Sequence, residues 1–579
     1  MNQNKYRMTT ANFRDEFDSI SGKYLSNWPI LYILTETLLE DNIKKQRPKA
    51  YIGETTNGLR RLSQHAKNEA KKEFDKVNFI YSKEFNQSVT FDYESKLIQY
   101  FSADGIFELR NRNGGLADIE YYDKNYYDGE FKYLWEYLRR HKIVKHTIEE
   151  LENTDIFKYS PYKTLTDQQR EAVEAIAKCI SEGRKETILV KGMPGSGKTI
   201  VAIFLFKFIK DKMDKVVQLL EGENPNNVGA DINFLPNQFK DKKMGFVVPQ
   251  SSLRKTLKEI FKGIYGLKAA DVMSPSEVVK KFLDGTKYDV LLVDEAHRLR
   301  KRKNITNYRS HDANNKRLNL PKDATELDWV LYCATCPVLF YDQNQVIGPA
   351  GIEKETLEDK VEKVFGNKVI SFTLNQQMRS NGGTQYIEYI ENILNMRQPY
   401  RIDFPNEDTP DYDFCMVESF KLFNDLMYTY EDKYGLVRMM AGYAWKWDSK
   451  NNTNAFDIEI DGIKKQWNQT LEDWIRSGSS IDEVGSIHTL QGYDLNYGFV
   501  ILGPDIIYDE DKQCISINRN SYFDKKGKNT ATDQELTEYI KNIYYVLLSR
   551  GIKGTYIYVC HPSLREYLKK FIRVYNKNV

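Results

Sequence analysis

At 579 residues, 41% hydrophobic and 29% charged, the chain is long enough for three or four domains of roughly 150 residues and has the composition of a soluble globular protein. Its 84 basic and 82 acidic side chains leave a net charge of +2, which excludes a polycation and confines any nucleic-acid contact to a local patch. No apolar run approaches the ~18 residues of a membrane span, the start MNQNKYRMTT has no apolar signal core, and six cysteines make no disulfide framework, so the chain reads as cytoplasmic.

Pro29 to Leu34 and Ala50 to Ile52 read as two buried strands joined by a polar hairpin. Leu59 to Lys72 reads as a helix, Val77 to Ser82 as a third strand and Phe91 to Phe101 as another helix. The turn signal from Asn111 to Gly115 closes this α+β unit, so a first domain is expected over 1–115. Residues 116–160 read as a connector. Its helix, Glu130 to Arg140, has an aromatic side made of Phe131, Tyr133, Leu134, Tyr137 and Leu138, whose spacing suits interdomain packing better than base stacking.

From 161 the pattern alternates strand and helix. Thr187 to Val190, Phe246 to Val248, Val290 to Val293, Val338 to Phe340 and Ile370 to Phe372 are short apolar strands, and Ile200 to Ile209 is a helix. This is a parallel-sheet α/β design. Strand signals at Gly498 to Leu502 and Thr555 to Val559 mark a second lobe, so the lobes are expected over 161–370 and 371–579. The polar stretch from Glu221 to Lys243 reads as a surface insert. Cys333 and Cys336 form a lone pair in an apolar setting, and a zinc site needs four ligands, so they read as core.

Two sets of residues carry chemistry. The first is Tyr51-Ile52-Gly53, with Arg61 ten residues after Tyr51 and His65 one helical turn further. Ile30-Leu31-Tyr32 precedes it, and Glu94 and Asn113 (or, less well placed, Asn111) follow. In this order they resemble the GIY-YIG nuclease family, with Ile30 where the family has glycine. The resemblance implies catalytic Tyr32, Tyr51, Arg61, His65, Glu94 and Asn113, with Glu94 as the metal ligand. The chemistry is consistent with these types. Phosphodiester cleavage needs a positioned water, charge relief and help for the leaving oxygen. Tyr32 would orient or deprotonate the water, although a phenol of pKa about 10 needs a nearby cation to do so at neutral pH. Arg61 offers a fork for the non-bridging oxygens. Glu94 would hold one Mg²⁺ or Mn²⁺, in keeping with an ion that takes few protein ligands and several waters. Each residue alone also reads as a core aromatic, a solvated arginine or a helix-end charge. Their joint order points to the nuclease, and because glycine mainly offers backbone freedom at that place, Ile30 need not abolish the chemistry.

The second set is the Gly-rich loop Gly192 to Thr199, placed between a strand and a helix. Backbone N–H groups around Gly192, Gly195, Ser196 and Gly197 would wrap phosphates, Lys198 would reach the β/γ-phosphates, and Thr199 would ligate Mg²⁺. Asp294 and Glu295 end an apolar strand, placed for Mg²⁺ and for polarising the attacking water. Further blocks resemble superfamily 1 helicases: Thr164 to Ala172 with Gln169 for adenine, Asp342 to Gln345 with Gln345 sensing the γ-phosphate, and Leu374 to Ser380 with Arg379. Ser486 to Asp494, including Gly492, and Tyr545 to Arg550 with Arg550 complete the series. Two arginines reaching in from the second lobe would complete the site on closure. The finer resemblance is to bacterial Schlafen-group helicase-like domains.

The resemblances imply an α/β chain: a small α+β GIY-YIG domain followed by two RecA-like parallel-sheet lobes. They imply ATP and Mg²⁺ or Mn²⁺ as cofactors and nucleic acid, DNA rather than RNA, as partner. The expected function is an ATP-dependent helicase-nuclease in defence against foreign DNA or in repair. An NTPase switch with a degenerate nuclease fold, and an RNA-directed nuclease, are the alternatives. The basic run Arg298 to Lys303 is open to two readings, a solvated face or a phosphate contact.

Overall fold

The computed structural model describes residues 6–12, 23–37, 47–66, 71–111, 121–163, 165–219, 239, 242–366, 369–397, 399–469, 474–490 and 493–576. Asn113, Gly492 and most of the insert expected over Glu221 to Lys243 lie outside the described residues. The chain forms two compact units. One comprises Met1–Glu182, Thr199–Lys242 and Lys255–Val272; the other comprises Gly183–Lys198, Lys243–Arg254 and Met273–Val579.

The first unit holds a five-stranded sheet made of β1 (Arg7–Asn12), β2 (Ile30–Thr35), β3 (Lys49–Thr55), β4 (Lys76–Tyr81) and β5 (Glu108–Leu109), in the order β1-β4-β2-β3-β5. β2 is central and every one of its residues is buried, as its run of Ile, Leu and Tyr requires. It pairs antiparallel with β3 and β4, which sets Tyr32 opposite Gly53 and Phe79. β1 is an edge strand of sequence RMTTAN, too polar for a hydropathy reading to show. The helix Gly58–Ala66 follows β3, and the helix Gln87–Asp104 starts where the Asn86 side chain accepts from Val89 N.

The helix Lys124–Arg140 buries Phe131, Leu134, Trp135 and Leu138. Phe131 meets Tyr93 edge-on at 5.3 Å, and Trp135 meets Tyr100 at the same separation. Tyr93 Oη also donates to Tyr127 O at 2.8 Å. The expected packing face therefore needs a correction: Tyr133 is 57% exposed, and Trp135 takes its place. Spacings of three and four residues put 131, 134, 135 and 138 on one stripe and leave 133 outside it. Burying one such aromatic is worth about 1.5–3 kcal/mol.

The second unit holds two sheets. β6 (Thr187–Gly192), β7 (Met244–Val247), β8 (Val272–Met273), β9 (Tyr288–Val293), β10 (Ala334–Tyr341) and β11 (Val369–Leu374) run in the order β11-β6-β10-β9-β7-β8. β6 pairs parallel with β10 and β11, and β9 with β10 and β7. β11 carries this sheet through residue 374, past the lobe boundary expected at 370.

The other sheet uses β12 (Asp413–Met416), β13 (Val437–Ala441), β16 (Val484–Gly485), β17 (Leu495–Leu502) and β20 (Gly551–Val559), in the order β12-β20-β17-β13-β16 and all parallel. Two antiparallel hairpins, β14 (Ile458–Ile460) with β15 (Ile463–Lys465) and β18 (Ile506–Asp509) with β19 (Cys514–Ile517), complete the strands among the described residues. β17 is buried throughout, the near-continuous apolar run of a strand covered on both faces. The architecture is thus mixed α/β, a small α+β domain followed by two parallel-sheet lobes. Cys333 and Cys336 are buried free thiols, and no helix among the described residues is long and apolar enough to cross a membrane.

Candidate functional site

The first candidate site forms where β2, β3 and the two helices after them converge. Tyr32 Oη lies 2.9 Å from His65 Nε2 and accepts from Arg61 Nε at 3.4 Å. Tyr51 completes the cluster, with its ring centroid 6.3 Å from that of Tyr32 and 5.7 Å from His65. A Cβ on Gly53 would stand 2.2 Å from Tyr32 Oη, so glycine is needed there to admit the phenol. Ile30 is fully buried, its Cδ1 2.8 Å from where a Gly58 Cβ would be; the space lost at 30 is recovered at 58.

Burial dominates the electrostatics here. It pushes both Tyr32 and Tyr51 above the ordinary phenol range, against the pull of Arg61. His65 is lowered to about 3, by burial first and then by Arg61 and Lys71, so the ring is neutral. With its proton on Nδ1, Nε2 accepts the Tyr32 O–H. Glu94 is raised to about 8, by burial first and then by the neighbouring Glu54 carboxyl. Two carboxyls drawn together in a half-buried place suit a hard divalent cation held by few protein oxygens. Among the described residues, no group of three or more His, Cys, Asp or Glu side chains is gathered as a metal site.

Two residues here, Glu54 and Lys71, escaped the sequence reading of the site. Asn111 bonds both backbone groups of Ile52, its Oδ1 accepting from Ile52 N at 2.9 Å and its Nδ2 donating to Ile52 O at 2.8 Å. It thereby holds the strand between Tyr51 and Gly53, and this is the asparagine given second rank above. Glu54 directly follows the triplet. Lys71 Nζ lies 3.0 Å from the centre of the Tyr51 ring, with no signal in the sequence to find it.

The second candidate site sits at the carboxyl end of β6. Lys198 Nζ donates to Gly192 O at 2.7 Å, to Met193 O at 2.9 Å and to Asp342 Oδ2 at 3.1 Å. Gln345 Nε2 donates to the same Asp342 oxygen at 2.8 Å, so Gln345 reaches the lysine through Asp342. Asp294 is buried, and its Oδ1 accepts from Glu295 N at 3.0 Å. Glu295 has φ 53° and ψ 46°, a left-handed backbone that costs a non-glycine residue energy. Burial alone would raise its carboxyl. His297, 2.8 Å away, and then Arg298 and Lys198 outweigh that and hold it ionised, below the usual carboxylate range.

Both arginines expected from the second lobe rest on one loop. Arg379 Nε lies 2.5 Å from Asp494 Oδ1, a close ion pair without a well-directed hydrogen bond. Arg550 Nη1 donates to Tyr493 O at 3.5 Å. Gln377, unremarked in the sequence, lies against the phosphate loop, Nε2 donating to Pro194 O at 2.6 Å. Gly195 and Gly197 have φ of 81° and 79°. Ser196 is buried within the loop, and Thr199 lies in the first turn of the helix Lys198–Leu219. Gln169 is buried and forms a capping box with Thr166 at the start of the helix Asp167–Ser181. The basic run is largely spoken for: Lys301 pairs with Glu353, Arg302 with Asp312 at 2.6 Å and Lys303 with Glu535 at 4.0 Å.

A phosphate loop and an acidic strand end on one parallel sheet, with a second parallel sheet after it, define a helicase-type nucleotide-binding protein, here joined to a nuclease-type domain. The sequence comparison agrees. The family model for the Schlafen group 3 DNA/RNA helicase domain matches residues 185–561, more than half of the chain, and that for the GIY-YIG catalytic domain matches residues 30–108. The chain belongs to the Schlafen group 3 helicase family and carries a GIY-YIG domain. A Saccharomyces cerevisiae protein, uncharacterized protein YPL245W, is 29% identical over 307 residues, covering 48% of this chain and 64% of the yeast protein. The match thus spans less than two-thirds of that relative's length.

Solved structures overlay loosely. The Pif1 helicase from Candida albicans has a TM-score of 0.28 at 12% identity over 70% of this chain and 99% of its own. Bacteroides Pif1 bound to ssDNA has 0.25 at 11% over 70% and 97%. Mss116p bound to ssRNA and AMP-PNP has 0.29 at 14% over 75% and 77%. Scores this low give the overlays no functional weight.

Proposed function

We propose that the chain is an ATP-dependent helicase-nuclease that cuts DNA through its N-terminal domain, in defence against foreign DNA or in repair. The observation that carries the reading is the contact set Tyr32–His65–Arg61 beside Glu94, in a chain that also holds a complete phosphate loop. Arg61 grips the non-bridging oxygens of the scissile phosphate while its Nε fixes the Tyr32 phenol. Tyr32 orients the attacking water. As the water loses its proton to the phenol oxygen, the phenol passes its own to Nε2 of the neutral His65. Glu94, with the Glu54 carboxyl beside it, would hold a divalent cation, which would supply charge relief to the phosphate.

In the second unit, Lys198 would exchange its two carbonyls and Asp342 for ATP phosphates, Asp294 would hold Mg²⁺ and the ionised Glu295 would polarise water, with Thr199 in the role its motif gives it. Arg379 and Arg550 then leave the 493–494 loop for the developing charge. Gln169 reads adenine, with Gly492 and Asn113 in the roles the motifs give them. The coupling reading is supported by the helix Lys124–Arg140, whose aromatic face packs on the helix that bears Glu94. A packed helix transmits movement that a flexible tether would absorb.

The test is to incubate the full chain with Mg²⁺ and plasmid DNA, single-stranded DNA or a matched RNA, with and without ATP. DNA cleavage that needs Mg²⁺ and changes with ATP is expected. Preferential RNA cleavage would move the substrate to RNA, absence of any cleavage would leave an NTPase with a binding module, and ATP-indifferent cutting would leave two merely fused domains.

A further inference from the structure

We propose that Gln377 is a positioning residue for ATP hydrolysis: its amide fixes the backbone that carries Arg379 to the rim of the phosphate loop. The inference rests on the ATPase reading above. β11 is an edge strand on β6, with Leu374 opposite Gly192, so the chain leaving β11 passes the phosphate loop before it enters the helix Gly383–Asn395. Three hydrogen bonds organise that passage. Gln377 Nε2 donates to Pro194 O at 2.6 Å, Met378 N donates to Gly195 O at 2.9 Å, and Arg379 N donates to Gln377 Oε1 at 2.6 Å. One side chain therefore spends its donor on the phosphate loop and its acceptor on the arginine's own backbone.

The site is built for that amide. Gly195 has φ +81°, and a Cβ there would stand 2.0 Å from Gln377 Oε1 and 2.5 Å from Nε2, so any side chain at 195 would expel it. Gln377 is 7% exposed, and a desolvated amide is costly unless both its ends are satisfied. Glutamate has no donor for Pro194 O, and asparagine is one methylene too short to span both partners.

Arg379's guanidinium faces the other way, held by Asp494 at 2.5 Å. The segment thus has one grip on each lobe, Gln377 on the phosphate loop and Arg379 on the 493–494 loop. When the guanidinium leaves Asp494 for a phosphoryl group on the P-loop, its backbone must already be in register with that loop. Gln377 supplies the register, so its loss costs the transition state rather than nucleotide binding.

The experiment uses the full chain and the variants Q377A, Q377N and Q377E. It measures steady-state ATPase, binding of ADP, and binding of ADP with aluminium fluoride as a mimic of the transferring phosphoryl group. Q377A and Q377N should lose roughly ten- to hundredfold in kcat with ADP affinity within about twofold of wild type, and should lose the extra affinity for the fluoride complex. Q377E should also weaken ADP, because it brings negative charge to the phosphate loop. Wild-type kcat in Q377A, or ADP affinity falling as far as turnover, would overturn the proposal; the latter would make Gln377 a mere brace of the loop. If Q377A fails to fold, Q377N decides by the same two measurements. A wild-type chain that binds ADP but never turns over ATP would sink the ATPase reading instead. The ratio of fluoride-complex to ADP affinity would then judge Gln377 by itself, and an equal ratio in wild type and variant would count against it.

Discussion

Around Tyr32 burial outweighs the pull of the Arg61 cation: Glu94 rises to about 8 and both tyrosines keep their protons, while His65 falls to about 3. Around Lys198 most buried groups have an opposite charge at hand: Lys198 has Asp342, Arg379 has Asp494, and Glu295 stays ionised among His297, Arg298 and Lys198, although burial lowers His297 itself. Burial that outweighs the nearby opposite charge drives a group neutral, whereas burial beside enough opposite charge preserves the ion at the cost of a partner that must later be given up. On the reading proposed above, a cation would restore the charge of Glu94, and phosphate would replace partners that Lys198 already has.

The largest effects should separate the two sites outright. Lys198→Ala should abolish ATP turnover, a loss of at least about a thousandfold, while cleavage measured without ATP stays at the wild-type rate. Glu94→Gln should do the converse, removing Mg²⁺-dependent cleavage and sparing the ATPase. Paired ATPase and nicking assays check both, and a variant that loses both activities together would show that the sites do not operate separately.

Gly53→Ala probes the crowding at Tyr32. Its Cβ would stand 2.2 Å from Tyr32 Oη, so the phenol must move, and cleavage should fall roughly a hundredfold with ATPase unchanged. An unaltered nicking rate would remove Tyr32 from the reaction.

The next test is pH. A carboxyl with a folded pKa of about 8 carries a proton at neutrality, which a cation must displace. Apparent Mg²⁺ affinity of the nuclease site should rise by about tenfold per unit up to pH 8 and then level. The same sign applies to stability. The folded pKa lies above the unfolded value of 4.5, so Glu94 costs stability progressively as pH rises from 4.5 to about 8. Glu94→Gln should relieve that cost at pH 9 and have no such effect at pH 4. Calorimetric Mg²⁺ titrations and melting curves at several pH values measure the two parts, and a flat affinity between pH 6 and 9 would contradict the uncompensated-charge picture.

The smallest expected effect concerns the compensated site. Asp494→Asn leaves Arg379 without the partner it must surrender, so a non-hydrolysed ATP analogue should bind about two- to fivefold more tightly. Unchanged or weaker binding would mean that the ion pair does not compete with nucleotide.

Much of this was legible from residue order. The Tyr51-Ile52-Gly53 triplet, Arg61 and Glu94 are set by a strand, a helix and a second helix close together in the chain, so local spacing forecasts their meeting. The phosphate loop is likewise a strand, a turn and a helix in succession. The role of Asn111, two bonds to the backbone of Ile52, is not legible in residue order because it depends on β5 aligning beside β3. Tyr133 and Trp135 exchanged places because one residue of helical phase decides burial. β1 was hidden because an edge strand's stability comes from its partner's backbone rather than from its own side chains.

The sequence by itself determined the chemistry available: which residues can bind phosphate, hold a cation or move a proton, and which short segments present them. Those properties depend on residue type and on neighbours a few positions away. Tertiary structure alone decided who stands beside whom across long separations. Asp342 meets Lys198, Asp494 meets Arg379, Gln377 meets Pro194 and Lys71 covers Tyr51, and no periodicity in the chain encodes such pairs. The same packing decided how much water each charge loses, and therefore that Glu94 keeps its proton while Glu295 gives its own up.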